Sequence, residues 1–226
     1  LMVSGILQLA FNAVDIIVVG RFSGSQALAA VGSTTALINV FTNLFIGISL
    51  GANVLAARFY AAGKDREMSE TVHTSITLAL ISGIMMAVIG VLLAKWALEI
   101  MGTPDDVIGQ SALYMRIYFM GMPFFMLYDF GASILRSIGD TRRPMYALIV
   151  SGVVNVILNL LFVVVFHMGV AGAGLATVGA NATSAVQILY FLTHEELPIR
   201  LSFKSLTIDR DAVSKILKIG VPAEIG

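Results

Sequence analysis

Six apolar stretches, each long enough to cross a bilayer and separated by short polar joints, constrain this chain more than any other feature of it. A hydrocarbon core about 30 Å thick is crossed by about 20 apolar helical residues rising 1.5 Å each. The stretches are Leu1–Val19, Leu28–Ala57, Val72–Leu93, Ser111–Ile134, Pro144–Phe166 and Val170–Leu192. The spacing predicts an all-α, polytopic membrane protein, a six-helix transmembrane bundle whose second helix tilts or protrudes. With 58% hydrophobic and 12% charged residues and a mean hydropathy of +0.90, a water-soluble globule is excluded.

The joints read as helix ends. In "GTPDD", Thr103 is expected to cap, Pro104 to take the first helical position, and Asp105 with Asp106 to complement the positive end of the helix dipole. Met122–Pro123 should kink the fourth helix. Eleven Lys and Arg fall in the joints after helices two, four and six, against Arg21 and Lys95 on the other side, with Arg116 inside helix four. That bias places the longer joints, and both ends of the chain, in the cytoplasm. The opening run lacks a basic leader and a small-residue cleavage site, so it reads as a span rather than a removed signal. The division expected is a six-helix lobe over 1–192, a cytoplasmic connector over 193–219, and the start of a seventh span over 220–226. The connector should carry an amphipathic surface helix with Val213, Ile216, Leu217 and Gly220 on one face. The first residue is Leu1 and the last residues turn apolar again, which is expected of a fragment, one half of a protein made of two parallel six-helix repeats.

Several functions are excluded early. Fourteen basic and fourteen acidic residues cancel, which leaves no argument for a nucleic-acid partner. There is no cysteine, hence no disulfide scaffold, thiol catalysis or thiolate metal site. His73, His167 and His194 lie on separate joints or helix ends, lack metal-ligand spacing, and are expected at interfaces. An intramembrane aspartyl protease is rejected, because eleven residues of helix hold Asp129 and Asp140 about 16 Å apart where a shared-proton dyad needs about 3 Å.

Polar residues recur at helical spacing within the greasy runs. Gln8, Asn12 and Asp15 share one face of helix one; Ser151, Asn155 and Asn159 one face of helix five; Thr177, Asn181 and Ser184 one face of helix six. Asn39 and Asn43 continue into Gly47 and Gly51 on helix two. These faces are expected to line a shared polar interior. Amides and hydroxyls also serve as ordinary interhelical glue. Asp15 is different, because a carboxylate at bilayer depth costs about 2.5–3.5 kcal/mol on insertion scales and is a functional hypothesis by default. A carboxylate among amide and hydroxyl oxygens can hold a proton or a small hard cation, which would compete for one site.

The runs "NAVDIIVVGRFSGSQALAAVG", "GISLGANVLAARFYAAGKDREM", "LRSIGDTRRPM" and "NVILNLLFVV" with "GVAGAGLATV" resemble the amino-terminal lobe of multidrug and toxic compound extrusion (MATE) transporters, in order and with plausible spacing. The resemblance implies a twelve-helix protein of two six-helix lobes around a cleft. It further implies a secondary antiporter that exports cationic or amphipathic organic compounds in exchange for H+ or Na+, not an enzyme and without a cofactor. By the same resemblance the coupling site is Asp15, Asn155, Asn159 and Thr177. Asn159 departs from the Asp often found there, which lowers the expected cation affinity and leaves the coupling ion open. Asp129 stands where relatives commonly have Asn; it is expected to hydrogen-bond in helix four, to pair with Arg136, or to touch substrate. With Gln8, Asn12, Asn39, Asn43 and Asn181 it makes the set of cleft or substrate-lining residues. Expected partners are a small organic substrate, the lipid bilayer and a carboxy-terminal lobe, in the cell membrane. Two rival functions are a lipid-linked saccharide flippase of the same superfamily, which would want a basic cavity, and a non-transport membrane scaffold.

Overall fold

A computed structural model describes residues 13–225 other than 23, 197, 198, 203, 205 and 207, without the side chains of 33, 36 and 223–225. Gln8 and Asn12, and most of the first apolar stretch, lie outside the described residues. The elements are α1 (13–22), α2 (Ser25–Ala61), α3 (Asp65–Ile100), α4 (Asp105–Met120), α5 (Met122–Ser137), α6 (Arg142–Asn159), α7 (Val170–Thr193) and α8 (Arg210–Ile225). No strand occurs among the described residues. Helices α2, α3 and α7, and α6 continued to Val165, are each long and apolar enough to cross a membrane, and α4 with α5, bent by 46°, pass the same test together.

That bend is the kink expected at Met122–Pro123, and the break itself falls at Gly121. Its amide bonds the Tyr118 carbonyl at 3.1 Å, three residues back instead of four, and α5 restarts with Pro123 in its first turn. Gly83 of α3 lies against the break, where a Cβ would stand 2.5 Å from the Pro123 Cα. The expected cap at α4 is corrected. Pro104 precedes the helix and its carbonyl accepts from Val107 and Ile108, while no side chain, Thr103 included, caps the end. Asp105 and Asp106 do occupy the first turn.

Three helix ends on the same design turn the chain back. Gly63, Gly102 and Gly139 adopt φ of 68°, 76° and 88°, and the next amide reaches a carbonyl five residues back at 3.0–3.1 Å. A second departure from the α-helix has no counterpart in the expectations. After Asn159 the chain widens into a π-helical segment, Leu160–Val165, with the Phe166 amide bonded to the Leu161 carbonyl at 3.0 Å.

Along the second half of α3 small residues face inward and the largest ones outward, although Met86 is also buried there. On α3, Ala79, Gly83, Gly90 and Ala94 are buried while Ile84, Val88, Leu92 and Trp96 are exposed. Lipid tails are as apolar as Leu, so large side chains are free to face outward, and small residues let helix backbones approach. Helix α2 packs on α4 and α5, α3 along α4 and α5, and α6 along α7.

The connector is pinned to α3. Nε2 of His73 accepts from the Ser202 amide at 3.1 Å, Nδ1 lies 2.8 Å from the Ser69 carbonyl, and Thr74 Oγ1 accepts from the Asp209 amide at 3.1 Å. His73 is thus buried under the connector. Helix α8 runs unbroken across position 219/220. Ile216 and Gly220 are buried as expected and Val213 is half-buried, but Leu217 is exposed and Ala212 is buried in its place, which corrects that one member of the expected face. The reason is close packing on α2, where a Cβ at Gly220 would stand 2.6 Å from the Gly47 carbonyl oxygen and 2.7 Å from the Ile48 Cα.

Candidate functional site

Asp15 lies on α1, 3% exposed, and both carboxylate oxygens are engaged by other helices. Asn159 Nδ2, at the last α-helical position before the π segment, donates to Oδ1 at 2.5 Å, and Thr177 Oγ1 of α7 donates to Oδ2 at 3.0 Å. Asn159 Nδ2 also lies 2.9 Å from Asn155 Oδ1 and 3.1 Å from the Asn155 carbonyl, so one amide ties the carboxylate to the preceding turn of α6. The Thr177 hydroxyl is equally close, at 3.1 Å, to the Ala173 carbonyl. It has one proton, and a charged acceptor takes it in preference to a neutral one.

One oxygen of the cluster is left over. Asn159 Oδ1 is buried and has no hydrogen-bond partner. Together with the Asp15 oxygens, Asn155 Oδ1 and Thr177 Oγ1 it gives an all-oxygen set bearing a single formal charge, a set suited to a proton or a hard monovalent cation. Among the described residues no group of three or more His, Asp or Glu could hold a metal ion.

Four of the residues singled out in the sequence, from α1 and from the consecutive but distant pair α6 and α7, thus meet in one buried cluster. The others divide. Asn181 is half-buried one turn along α7 and its side chain is not among the partners of Asp15. Ser151 and Ser184 donate to carbonyls of their own helices. Asn39 and Asn43 are exposed on α2, so its stripe does not join the polar interior formed by α1, α6 and α7. Asp129 is buried against Ser49 of α2 instead of standing on an open surface, and no ion pair joins it to Arg136. Two residues of the site went unnoticed in the sequence, Tyr114 and Tyr118 on α4. Asp15 acts electrostatically on both, and Tyr114 lies beside Thr177. Their i, i+4 spacing was the available signal, hidden because tyrosines are common at membrane depth and at its edges.

The MatE family profile matches residues 1–161. The chain is 34% identical over its whole length to the probable multidrug resistance protein YoeA of Bacillus subtilis, covering 50% of that protein. It is 24% identical over 99% of its length to the multidrug export protein MepA of Staphylococcus saprophyticus, covering 49% of it. Among solved structures, a MATE transporter in a bent conformation superposes with a TM-score of 0.91 at 24% identity, over 99% of this chain and 50% of that one. An inward-facing MATE transporter superposes at 0.86 with 22% identity, over 95% and 49%. The chain spans about half the length of the relatives it matches. With the profile covering well over half of these residues, the chain belongs to the MatE family.

Proposed function

We propose that this chain is the amino-terminal lobe of an antiporter that exports cationic or amphipathic organic compounds in exchange for H+ or Na+. The observation that carries the proposal is the junction at Asp15, a buried acid held by donors from α6 and α7. In the charged state both oxygens accept hydrogen bonds, which holds α1 against the other two helices. A proton on either oxygen makes it a donor facing the Asn159 amide or the Thr177 hydroxyl. A sodium ion would instead draw in Asn159 Oδ1, the oxygen without a partner. Either arrival changes which contacts are satisfied, and so shifts the populations of inward- and outward-open states. A membrane potential contributes about 2.3 kcal/mol per charge per 100 mV to that shift.

The same reading puts the multi-pass chain in the cell membrane with the Lys- and Arg-rich joints in the cytoplasm. Substrate would lie between this lobe and a second one, with Asn39 and Asn43 on the exposed face of α2 among its contacts. The flippase reading finds less support, because Arg116, the intramembrane cation, donates to the Val91 carbonyl of α3 at 3.2 Å, a helix-packing contact.

The test is transport by the full-length protein in liposomes with pH and sodium gradients imposed one at a time. Asp15→Asn is expected to abolish the gradient-driven component. Unchanged efflux in that variant under both gradients would overturn the proposal.

A further inference from the structure

Two cations meet where α3 and α4 pass side by side, at the end of the bundle opposite the Lys- and Arg-rich joints. Lys95 and Trp96 follow the apolar stretch Val72–Leu93 of α3 and both are exposed, which marks the edge of the hydrocarbon there. Arg116 of α4 reaches the same level, because its Nε donates to the Val91 carbonyl at 3.2 Å. In the helical ladder of α3 that carbonyl also accepts from the Lys95 amide, so Arg116 Nε lies within about 6 Å of the Lys95 backbone. Phe119, one turn along α4, packs directly over Gly90 and holds the two helices in this register. Arg116 is two residues from Tyr114 and from Tyr118, which places it on the side of α4 turned away from Asp15.

The packing contact uses only Nε. Among the described residues, neither the other guanidinium donors nor Lys95 Nζ has an ion-pair partner. Glu99 is exposed one turn beyond Lys95, at the spacing that Arg66 and Glu70 close at 3.2 Å near the other end of the same helix. At Lys95 and Glu99 no such pair is formed. Asp105 and Asp106, in the first turn of α4, lie about 16 Å further out than Arg116 and do not reach it. Going outward from the hydrocarbon, the cations therefore come first and a carboxylate follows one turn later. Toward the bilayer centre, Val88 of α3 and Met120 of α4 are exposed.

We infer that the lipid-facing groove between α3 and α4 binds a phospholipid with an ethanolamine headgroup. Its phosphate is held by Arg116 and Lys95, its ammonium by Glu99, and its acyl chains lie toward Val88 and Met120. The charge order of the protein is the complement of the charge order of that headgroup, in which the phosphate is next to the acyl chains and the ammonium lies outside it. A guanidinium at the edge of hydrocarbon is costly without a counter-charge, and phosphate accepts its charge-assisted hydrogen bonds. A choline headgroup has no N–H to donate to Glu99, and a glycerol headgroup brings no cation to it. The site lies outside the coupling cluster and holds whatever ion Asp15 takes.

Native mass spectrometry of the full-length protein, released from liposomes of phosphatidylethanolamine, phosphatidylglycerol and phosphatidylcholine in equal amounts, tests this without relying on transport. The parent is expected to retain the ethanolamine lipid in preference to the other two. Lys95→Gln and Arg116→Gln should each reduce the retained lipid, because the phosphate has lost a partner. Glu99→Gln should still retain lipid and lose the preference for ethanolamine over choline. Lys95 and Glu99 are exposed, so the circular dichroism of those variants should match the parent; should Arg116→Gln fail to fold, they decide alone. Glycerophosphoethanolamine, the same headgroup without acyl chains, should not displace the lipid. No headgroup preference in the parent, an unchanged preference in Glu99→Gln, undiminished retention in Lys95→Gln, or displacement by glycerophosphoethanolamine would each overturn the inference. Efflux that survives Asp15→Asn would sink the coupling proposal and leave this assignment standing.

Discussion

Asn159 and Thr177 each place one donor on the same buried carboxylate, and that sharing sets how the residues should respond to change. A hydrogen bond to a charged group contributes about 1.5–3 kcal/mol, and loss of one partner leaves the other unsatisfied. Asn159→Ala and Thr177→Val should each lower thermal stability in detergent by about that amount. Either cost should fall sharply when Asp15 is already Leu, since the group that needed the donors is gone; additive losses in this double-mutant cycle would show that the three side chains are independent. Asp140, in the turn before α6, gives a pH prediction outside the membrane. Burial pushes its carboxyl up, but hydrogen bonds from the Arg143 side chain and amide, the Arg143 charge and the Arg142 amide together outweigh this and hold it below the usual 3.8. A depressed folded value means that the carboxylate stabilises the fold above the ordinary carboxyl range and that this is lost as pH falls through the lower value. Arg143 also bonds Glu195 at the end of α7 and covers the Phe191 ring at 5.6 Å, so the turn and α7 share one cation. Acid titration of thermal stability should show a weaker decline in Asp140→Asn than in the parent.

At the scale of elements, contact between backbones decides what the helices tolerate. A Cβ at position 83 would meet the Pro123 Cα at 2.5 Å and its nitrogen at 3.1 Å, atoms that no rotamer change can move. Gly83→Val should cost about 1–3 kcal/mol of overpacking, read as a lower unfolding temperature, and should alter the bend between α4 and α5. Gly220→Leu should prise α8 from α2 for the same reason, read as loss of cross-linking between cysteines placed on the two helices. The helices and the bend were legible in sequence, because hydropathy over about 20 residues and a Pro inside a span are local signals. The π segment was not, since "LLFVVV" carries no residue that demands a wider turn. The buried face of α8 was not legible either. Leu217 is more apolar than Ala212, yet Ala212 is the one buried, because the face turned to α2 is fixed by the backbone contact at Gly220.

For the whole molecule, orientation is the property open to direct test. These 226 residues contain no cysteine, so in a protein freed of any other cysteine single replacements in them report without background. Lys64→Cys and Arg200→Cys should be shielded from a membrane-impermeant maleimide in intact cells, while Asp105→Cys and Met168→Cys should react; the reverse pattern would invert the topology. Sequence alone determined the class of the protein, the approximate spans, and which polar residues stand out within them, because the cost of an ionisable group in hydrocarbon is set by the residue and its depth. It could not determine which stripes converge. Asn39 and Asp15 both read as polar residues on a helical face, yet only Asp15 is brought against Asn159 and Thr177, residues 144 and 162 positions away. Periodicity fixes the face of a helix and leaves its rotation and neighbours to packing. The backbone contacts at Gly83 and Gly220 and the tyrosines of α4 settle those, and they exist only once the bundle has closed.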